Sequence, residues 1–413
     1  MLGTDLLPGM VAPDPIRYAQ RQLAHDVAAT KSYPQLLQRK LTRMAASPFG
    51  YLRGAAPLYY ELIAEHPELG EGPSGEGWLV GDAHLENFGA FRTADAQGAE
   101  AVVFDVNDFD ESVIGPFRWD VIRLLTSVIL GGRGLGSSGQ QSVQLCRALL
   151  GGYVPALCAG QTPKHAPLAV QRLLTKVSSR DRKALLDQRT ERVGHGRRFQ
   201  RGPRYEELAP ELLPKARAAF QRYVALLDPE QRITRDHFEI EDLAFRIAGT
   251  GSLGGLRVAV LTLGKGDVDS RWVFDMKVEA APSAQALTNP TEVPAERVLM
   301  AARACLLNPP RMVGTTELDG LSLFVRRLLP QEDKLDLTRI SAAELPELAY
   351  YLGALLGSVH RRGARSLPDA PWDDTALAGL TERAIVIAGL HEGAYLALCS
   401  TLPAPSEARS RAT

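Results

Sequence analysis

A carboxylate and a carboxamide stand five positions apart in GDAHLENFG, residues 81–89: Asp82 and Asn87. They follow a short apolar run, Trp78, Leu79 and Val80, and strand ends are where α/β architectures display chemistry. The pairing suits phosphoryl transfer. The Asp would accept or orient the proton of an attacking hydroxyl, and the Asn oxygen would ligate Mg²⁺, a hard cation that prefers oxygen. The same Gly, Asp and Asn also suit a tight turn made for backbone reasons. His84 joins Asp82 in this candidate catalytic loop. It fits a hydrogen-bonding brace better than a metal ligand, because no second His lies at metal-site spacing.

A second acidic element follows. VVFDVNDFDES, residues 102–112, places Asp105, Asp108 and Asp110 at the end of an apolar strand. Carboxylates this close repel one another unless a cation or basic group offsets them, and Mg²⁺ would do so. The candidate metal ligands are therefore Asn87, Asp108 and Asp110. A solvated acidic turn is the alternative. Kinase-type phosphotransferases also place a metal-gripping aspartate on a hairpin after the catalytic loop.

The spacing GxGxxG occurs twice. At 134–139 it follows a helical pattern and no strand leads into it, so it reads as an interhelical loop. At 249–254, GTGSLG precedes LRVAVLTLG, which is β-branched and lacks helical periodicity. Gly249, Gly251, Ser252 and Gly254 would let the backbone approach nucleotide phosphates from a hairpin tip. After a turn at 265–270, the strand WVFDMKVEA carries Lys277, suited to clamp the phosphates. An edge-strand lysine that discourages aggregation is the competing reading. Its acidic partner would be Glu292 or Glu296 on the next helix, or Glu279, which alternation puts on the same strand face.

The elements that position these residues read as follows. Residues 1–32 form a lead-in with some helical character, and 33–66 is helical, divided at Pro48 and Gly50. Short strands carry the two acidic motifs, and 118–230 is mostly helical with a basic stretch at 189–204. Residues 239–280 read as strand, glycine loop, strand, turn and strand. A helix at 295–307, a strand pair at 312–329 and a helical region at 342–402 complete the pattern. The chain has 413 residues, 45% hydrophobic and 23% charged, with a net charge of -1. That is an ordinary globular composition, and it gives no electrostatic reason to expect nucleic acid or a membrane surface as partner. Four scattered cysteines contain no CxxC pair, so a disulfide framework or zinc site is not expected and a cytoplasmic location fits. The start shows no secretory pattern. No apolar stretch approaches the ~20 residues of a membrane helix; the longest, 121–130, contains Arg123.

RMAASPFGYLRGAA (43–56), GDAHLENFGAF (81–91), VVFDVNDFDESVIGPFRWDVIRL (102–124), GTGSLGGLRVAVL (249–261) and MKVEA (276–280) together resemble the bacterial family of domain of unknown function 2252. That family is similar to the protein-kinase-like superfamily, closest to its aminoglycoside phosphotransferase branch, with its HGDxHxxN loop. The resemblance implies that Asp82 is the catalytic base and His84 the loop histidine. It implies Asn87 and Asp108 as metal ligands and Asp120 as a brace of the loop. Val80 stands where that motif has its first His. The catalytic loop also precedes the glycine loop, the reverse of kinase order.

The resulting expectation is an α+β, two-lobed, kinase-like fold, circularly permuted. Residues 33–234 and 331–402 would form the helical lobe, 235–330 the β-rich nucleotide-binding lobe, and 403–413 a disordered tail. The helix ending at 363 would match the one that normally precedes the catalytic loop. The expected ligands are ATP, Mg²⁺ and a small-molecule hydroxyl acceptor. Alternatives are a nucleotide-binding pseudokinase, an AMP transferase, and a metal-dependent hydrolase using Asp82, His84, Asp105 and Asp108. The basic run 191–204 reads as a solvated loop or as a site for an anionic substrate.

Overall fold

The computed structural model describes residues 14–94, 100–229, 231, 235–249, 251 and 253–402. Residues 1–13, the tail 403–413 read above as disordered, and Thr250 and Ser252 of the glycine loop lie outside the described residues.

Four helices open the chain: α1 (Pro15–Ala29), α2 (Gln35–Met44), α3 (Pro48–Gly54) and α4 (Ala56–Glu65). The lead-in expectation changes here. Asp14 caps α1 by accepting from the Ile16 amide at 2.9 Å, with Pro15 at the first turn. The helix turns Tyr18, Ala19, Gln22 and Asp26 inward. Pro48 does not merely break the helical pattern. It starts α3, whose cap Ser47 accepts from the Gly50 amide at 2.9 Å.

The short strands come next: β1 (Glu76–Leu79), β2 (Phe88–Ala94), β3 (Glu100–Val106) and β4 (Val113–Pro116). The helical body follows with α5 (Phe117–Gly134), α6 (Gly139–Ala159), α7 (Leu168–Ser178) and α8 (Arg182–Arg189). The strands β5 (Thr190–Val193), β6 (Gly196–Phe199) and β7 (Tyr205–Glu206) then lead to helix α9 (Leu213–Leu226). Within the basic run, 190–199 forms the β5–β6 hairpin, and most of the run is exposed. Its Arg197 pairs with Asp187 and Asp269, and its Arg201 with Asp242 and Glu207.

Next come β8 (Ile240–Arg246), β9 (Arg257–Thr262) and β10 (Trp272–Val278), the helices α10 (Gln285–Thr288) and α11 (Pro294–Cys305), and the hairpin β11 (Val313–Leu318) and β12 (Leu321–Leu328). The two-residue β13 (Asp333–Lys334), α12 (Leu345–Arg362), β14 (Ala364–Ser366) and α13 (Asp374–Thr401) finish the chain.

The architecture is α+β. One antiparallel six-stranded sheet runs β11-β12-β10-β9-β8-β7. Alternation on β10 decides what each face does. Trp272, Phe274 and Met276 pack with Phe220 and Tyr223 of α9. The opposite face carries Val273, Asp275 and Lys277, and Val273 packs with Phe199 and Tyr205. Two three-stranded sheets, β14-β1-β4 and β13-β2-β3, sit on the helical body. In that body α5 is buried along most of its length. Helices α6 and α12 approach through glycines: a Cβ on Gly152 would strike the Tyr350 carbonyl, and one on Gly353 the Leu149 carbonyl.

Against the sequence expectation, one helix, α13, is long and apolar enough to cross a membrane by length and composition. Its Leu380, Ala384, Ile387, Ala388 and His391 are buried inside this fold.

Candidate functional site

Strand β1 delivers the chain into the loop 80–87, and three constraints fix that loop. Gly81 has φ +84°, and a Cβ there would collide with the Glu111 backbone, so glycine is required. Asp120, fully buried at the start of α5, accepts from the Val80 amide at 2.6 Å and the Gly81 amide at 2.9 Å. The third constraint is His360 at the end of α12, whose Nε2 donates to Asp120 at 3.0 Å. Tyr153 Oη lies 2.8 Å from His360 Nδ1, and Phe117 stacks on the ring. A carboxylate only accepts, so Nε2 carries a proton, and with the ring neutral the tyrosine hydroxyl donates to Nδ1.

Asp82 then points at α5. Its Oδ1 accepts from Arg123 Nε at 2.7 Å and also from Arg123 Nη2. The Arg123 guanidinium is fully buried, lies 4.9 Å from the Tyr59 ring centre and donates to the Leu52 carbonyl at 3.0 Å. Burial pushes the Asp82 carboxyl up to about 7 against the Arg123 charge, and Glu111 and Asp108 add to the rise. That is the range a general base needs near neutral pH. His84 is buried, with Nδ1 accepting from the Glu86 amide at 3.1 Å and Nε2 3.7 Å from Asp82 Oδ2. Burial, with Arg53, Lys334 and Arg123 nearby, holds its pKa well below the ordinary histidine value, so the ring is neutral. Asn87 Nδ2 donates to the Asp82 carbonyl at 2.6 Å, which turns its amide oxygen the other way.

The acidic hairpin meets the six-stranded sheet at this point. Lys277 forms an ion pair with Asp110, and its Nζ lies 3.3 Å from Glu279 Oε1. Of the three candidate acids, the structure brings Glu279 to the lysine. Glu296 is exposed on α11, and Glu292 precedes that helix. Burial pushes the Glu279 carboxyl up to about 7 although Lys277 lowers it, with Asp108 adding to the rise. Asp110, read from sequence as a metal ligand, is thus on Lys277. Asn87 and Asp108 are left as oxygen donors. Asp108 Oδ1 receives only a long contact from the Asp110 amide, at 3.4 Å. Asp105 lies apart: its Oδ2 is 3.3 Å from Arg362 Nη2, and burial pushes it up to about 6.

Sequence reasoning missed Arg297. It stands on α11 and is buried. It donates to the carbonyls of Ser112, Asp110 (2.8 Å) and Ala280 (3.0 Å), tying the acidic hairpin to the end of β10. Beside Lys277 on the same face, Asp275 is gripped by Arg257 and Arg246, with Arg326 at 3.9 Å. Those guanidiniums outweigh burial and hold its carboxyl well below the carboxylate range.

The glycine loop leans on the opening helices. Arg43 donates to the Gly249 carbonyl, and Lys40 Nζ donates to the Gly251 carbonyl at 3.1 Å while pairing with Asp26 at 2.7 Å. Gly254 has φ +127°, and a Cβ there would lie 2.6 Å from the Ala29 carbonyl oxygen. These contacts give the stretch 43–56 a place beside the loop. A separate surface hollow of about 540 Å³ between α1 and α4 holds Arg21, His25, Glu61 and Glu65, which pair among themselves away from this site.

Among the described residues no cluster of three or more His, Cys, Asp or Glu side chains could hold a metal ion. A nucleotide-bound Mg²⁺ does not need one, since it takes one or two protein oxygens and fills its shell with phosphate and water. Asn87 and Asp108 fit that requirement.

Residues 32–390 match the model of a family described as "Uncharacterized protein conserved in bacteria (DUF2252)". No curated protein and no solved structure matches the chain.

Proposed function

The chain belongs to the DUF2252 family, and we propose that it is an ATP- and Mg²⁺-dependent phosphotransferase acting on a small-molecule hydroxyl. We further infer a two-lobed, kinase-like fold, circularly permuted. The observation that carries this reading is the Lys277–Asp110 ion pair. It joins two motifs 167 residues apart in sequence.

Other features support it. The glycine loop joins β8 to β9, Lys277 lies on the next strand, and α11 follows, the order of parts a kinase uses for its nucleotide. Helix α12 runs through Gly363 into β14, which pairs with β1. The strand beside the one that feeds the loop 80–87 therefore comes from the far end of the chain, which suits a permutation.

In this reading Lys277 leaves Asp110 to hold phosphate oxygens, and Asn87 with Asp108 binds the cation. Bound Mg²⁺ would neutralise charge developing on the phosphates. Asp82 takes the acceptor's proton, its carboxyl poised near 7 and aimed by Arg123. Catalysis is then positioning plus electrostatics.

A second reading, nucleotide binding without turnover, is favoured by the two Arg123 hydrogen bonds on Asp82 Oδ1. Thermal unfolding with ATP, with and without Mg²⁺, tests the site. A ligand at a hundred times its Kd adds about 2.7 kcal/mol. The rise should need Mg²⁺ and disappear in Asp108→Ala. No rise with any nucleotide refutes the proposal. Mg²⁺-dependent binding with no ATP consumption beside any hydroxyl compound supports the second reading.

A further inference from the structure

We propose that Lys334 is a phosphate-binding residue of this site, its ammonium gripping the terminal phosphate of the bound triphosphate. The inference rests on the nucleotide reading above and adds a residue that neither the sequence motifs nor the kinase pattern assigns.

The position of Lys334 is built. The chain leaves β12 and lays β13 against β2, the strand that exits the catalytic loop, pairing Lys334 with Gly89 two residues beyond Asn87. A Cβ on Gly89 would lie 2.7 Å from the Asp333 carbonyl oxygen and would strike Asn107 Nδ2, so the approach depends on glycine. Asp333 is tied to Lys176 at 3.2 Å and to Arg180, and Leu335 is buried on the other side. Lys334 is therefore pinned from both neighbours.

Its side chain is half-buried, and burial lowers its pKa, with Asp108 acting in the opposite direction and Arg53, Glu86 and Arg326 also nearby. Lys334 in turn acts on His84. The pairing with Gly89 therefore sets Lys334 beside the strand that leaves the catalytic loop. The other cations around it are committed. Arg53 pairs with Glu86 at 2.9 Å, Arg326 with Glu332 at 3.2 Å, Arg257 with Asp275 and Arg123 with Asp82. Arg297 is spent on carbonyls. His84 is neutral and supplies no charge. Among the described residues Lys334 Nζ forms no ion pair and no hydrogen bond.

An unpaired ammonium held beside the catalytic loop is placed to meet an anion. Asp108 would hold the cation and Asp82 would face the group to be transferred, so a cationic side chain next to the catalytic loop would meet the terminal phosphate. Lysine suits it as a compact point charge.

Calorimetric titration of the full chain with Mg²⁺–ATP and Mg²⁺–ADP tests this in wild type, Lys334→Met and Lys334→Arg. One lost charged hydrogen bond weakens binding roughly 10- to 100-fold. Lys334→Met should lose that much for ATP and almost nothing for ADP, and Lys334→Arg should recover much of the difference. Equal losses for both nucleotides, or no loss for ATP, overturn the assignment of Lys334 and leave the nucleotide reading intact. A wild type that binds neither nucleotide overturns both.

Discussion

Asp120→Asn tests whether the loop 80–87 is held as the geometry implies. The carboxylate receives three donors, the Val80 and Gly81 amides and His360 Nε2, at 2.6, 2.9 and 3.0 Å. Asparagine keeps one oxygen, enough for the Gly81 amide. Its NH₂ then faces the Val80 N–H and His360. The histidine can adapt by moving its proton to Nδ1 and accepting from the new amide, with Tyr153 accepting in turn. The Val80 donor cannot adapt. One charged hydrogen bond lost outright and one weakened amount to about 2–4 kcal/mol. Urea unfolding followed by tryptophan fluorescence measures this as a lower midpoint at unchanged slope.

The network also predicts non-additivity. In a His360→Ala background the same substitution should cost at least about 1 kcal/mol less, because the two share a bond. Mg²⁺–ATP affinity should fall as well, since the Asp82 and Asn87 positions depend on the loop. A stability loss under about 0.5 kcal/mol, or strict additivity with His360→Ala, would refute the brace.

Two further outcomes follow from other parts of the molecule. Glu279 has its folded pKa raised from 4.5 to about 7, mainly by burial. It therefore binds its proton more tightly in the folded state. Its contribution is present below about pH 4.5 and is lost as pH rises through about 7, at most about 3 kcal/mol. Glu279→Gln should gain stability relative to wild type between about pH 5 and about pH 8, read from urea midpoints at each pH; a difference that is flat or of opposite sign counts against the burial argument. Gly353→Ala should cost about 3 kcal/mol despite alanine's better helix propensity, because its Cβ would meet the Leu149 backbone across the α6–α12 contact. Unchanged stability would mean that these helices do not cross where described.

The local pattern of the chain carried much of this protein. β-branched runs without helical periodicity marked the strands that became β9 and β10, a strand pair was legible at 312–329, and alternation put Glu279 on the face of Lys277. The acids at 105–110 announced a charged strand end. The first glycine-rich spacing was legible as an interhelical loop, because no strand leads into it.

What the pattern could not carry was the identity of partners. Arg123 reads as a charge interrupting an apolar helix, yet it is the group that holds Asp82. His360 closes on Asp120 across 240 positions, and Arg297 reaches Ser112 across 185. A histidine from the far end of the chain, His360, reaches the loop at Val80 and Gly81 through Asp120. The basic run 191–204 looked free because its acids, Asp187, Asp242 and Asp269, come from three other segments. Residue type and spacing determine which groups can do chemistry and which elements carry them. A buried charge is stable only with its counter-charge, and which segment brings that counter-charge is decided when helices and sheets pack.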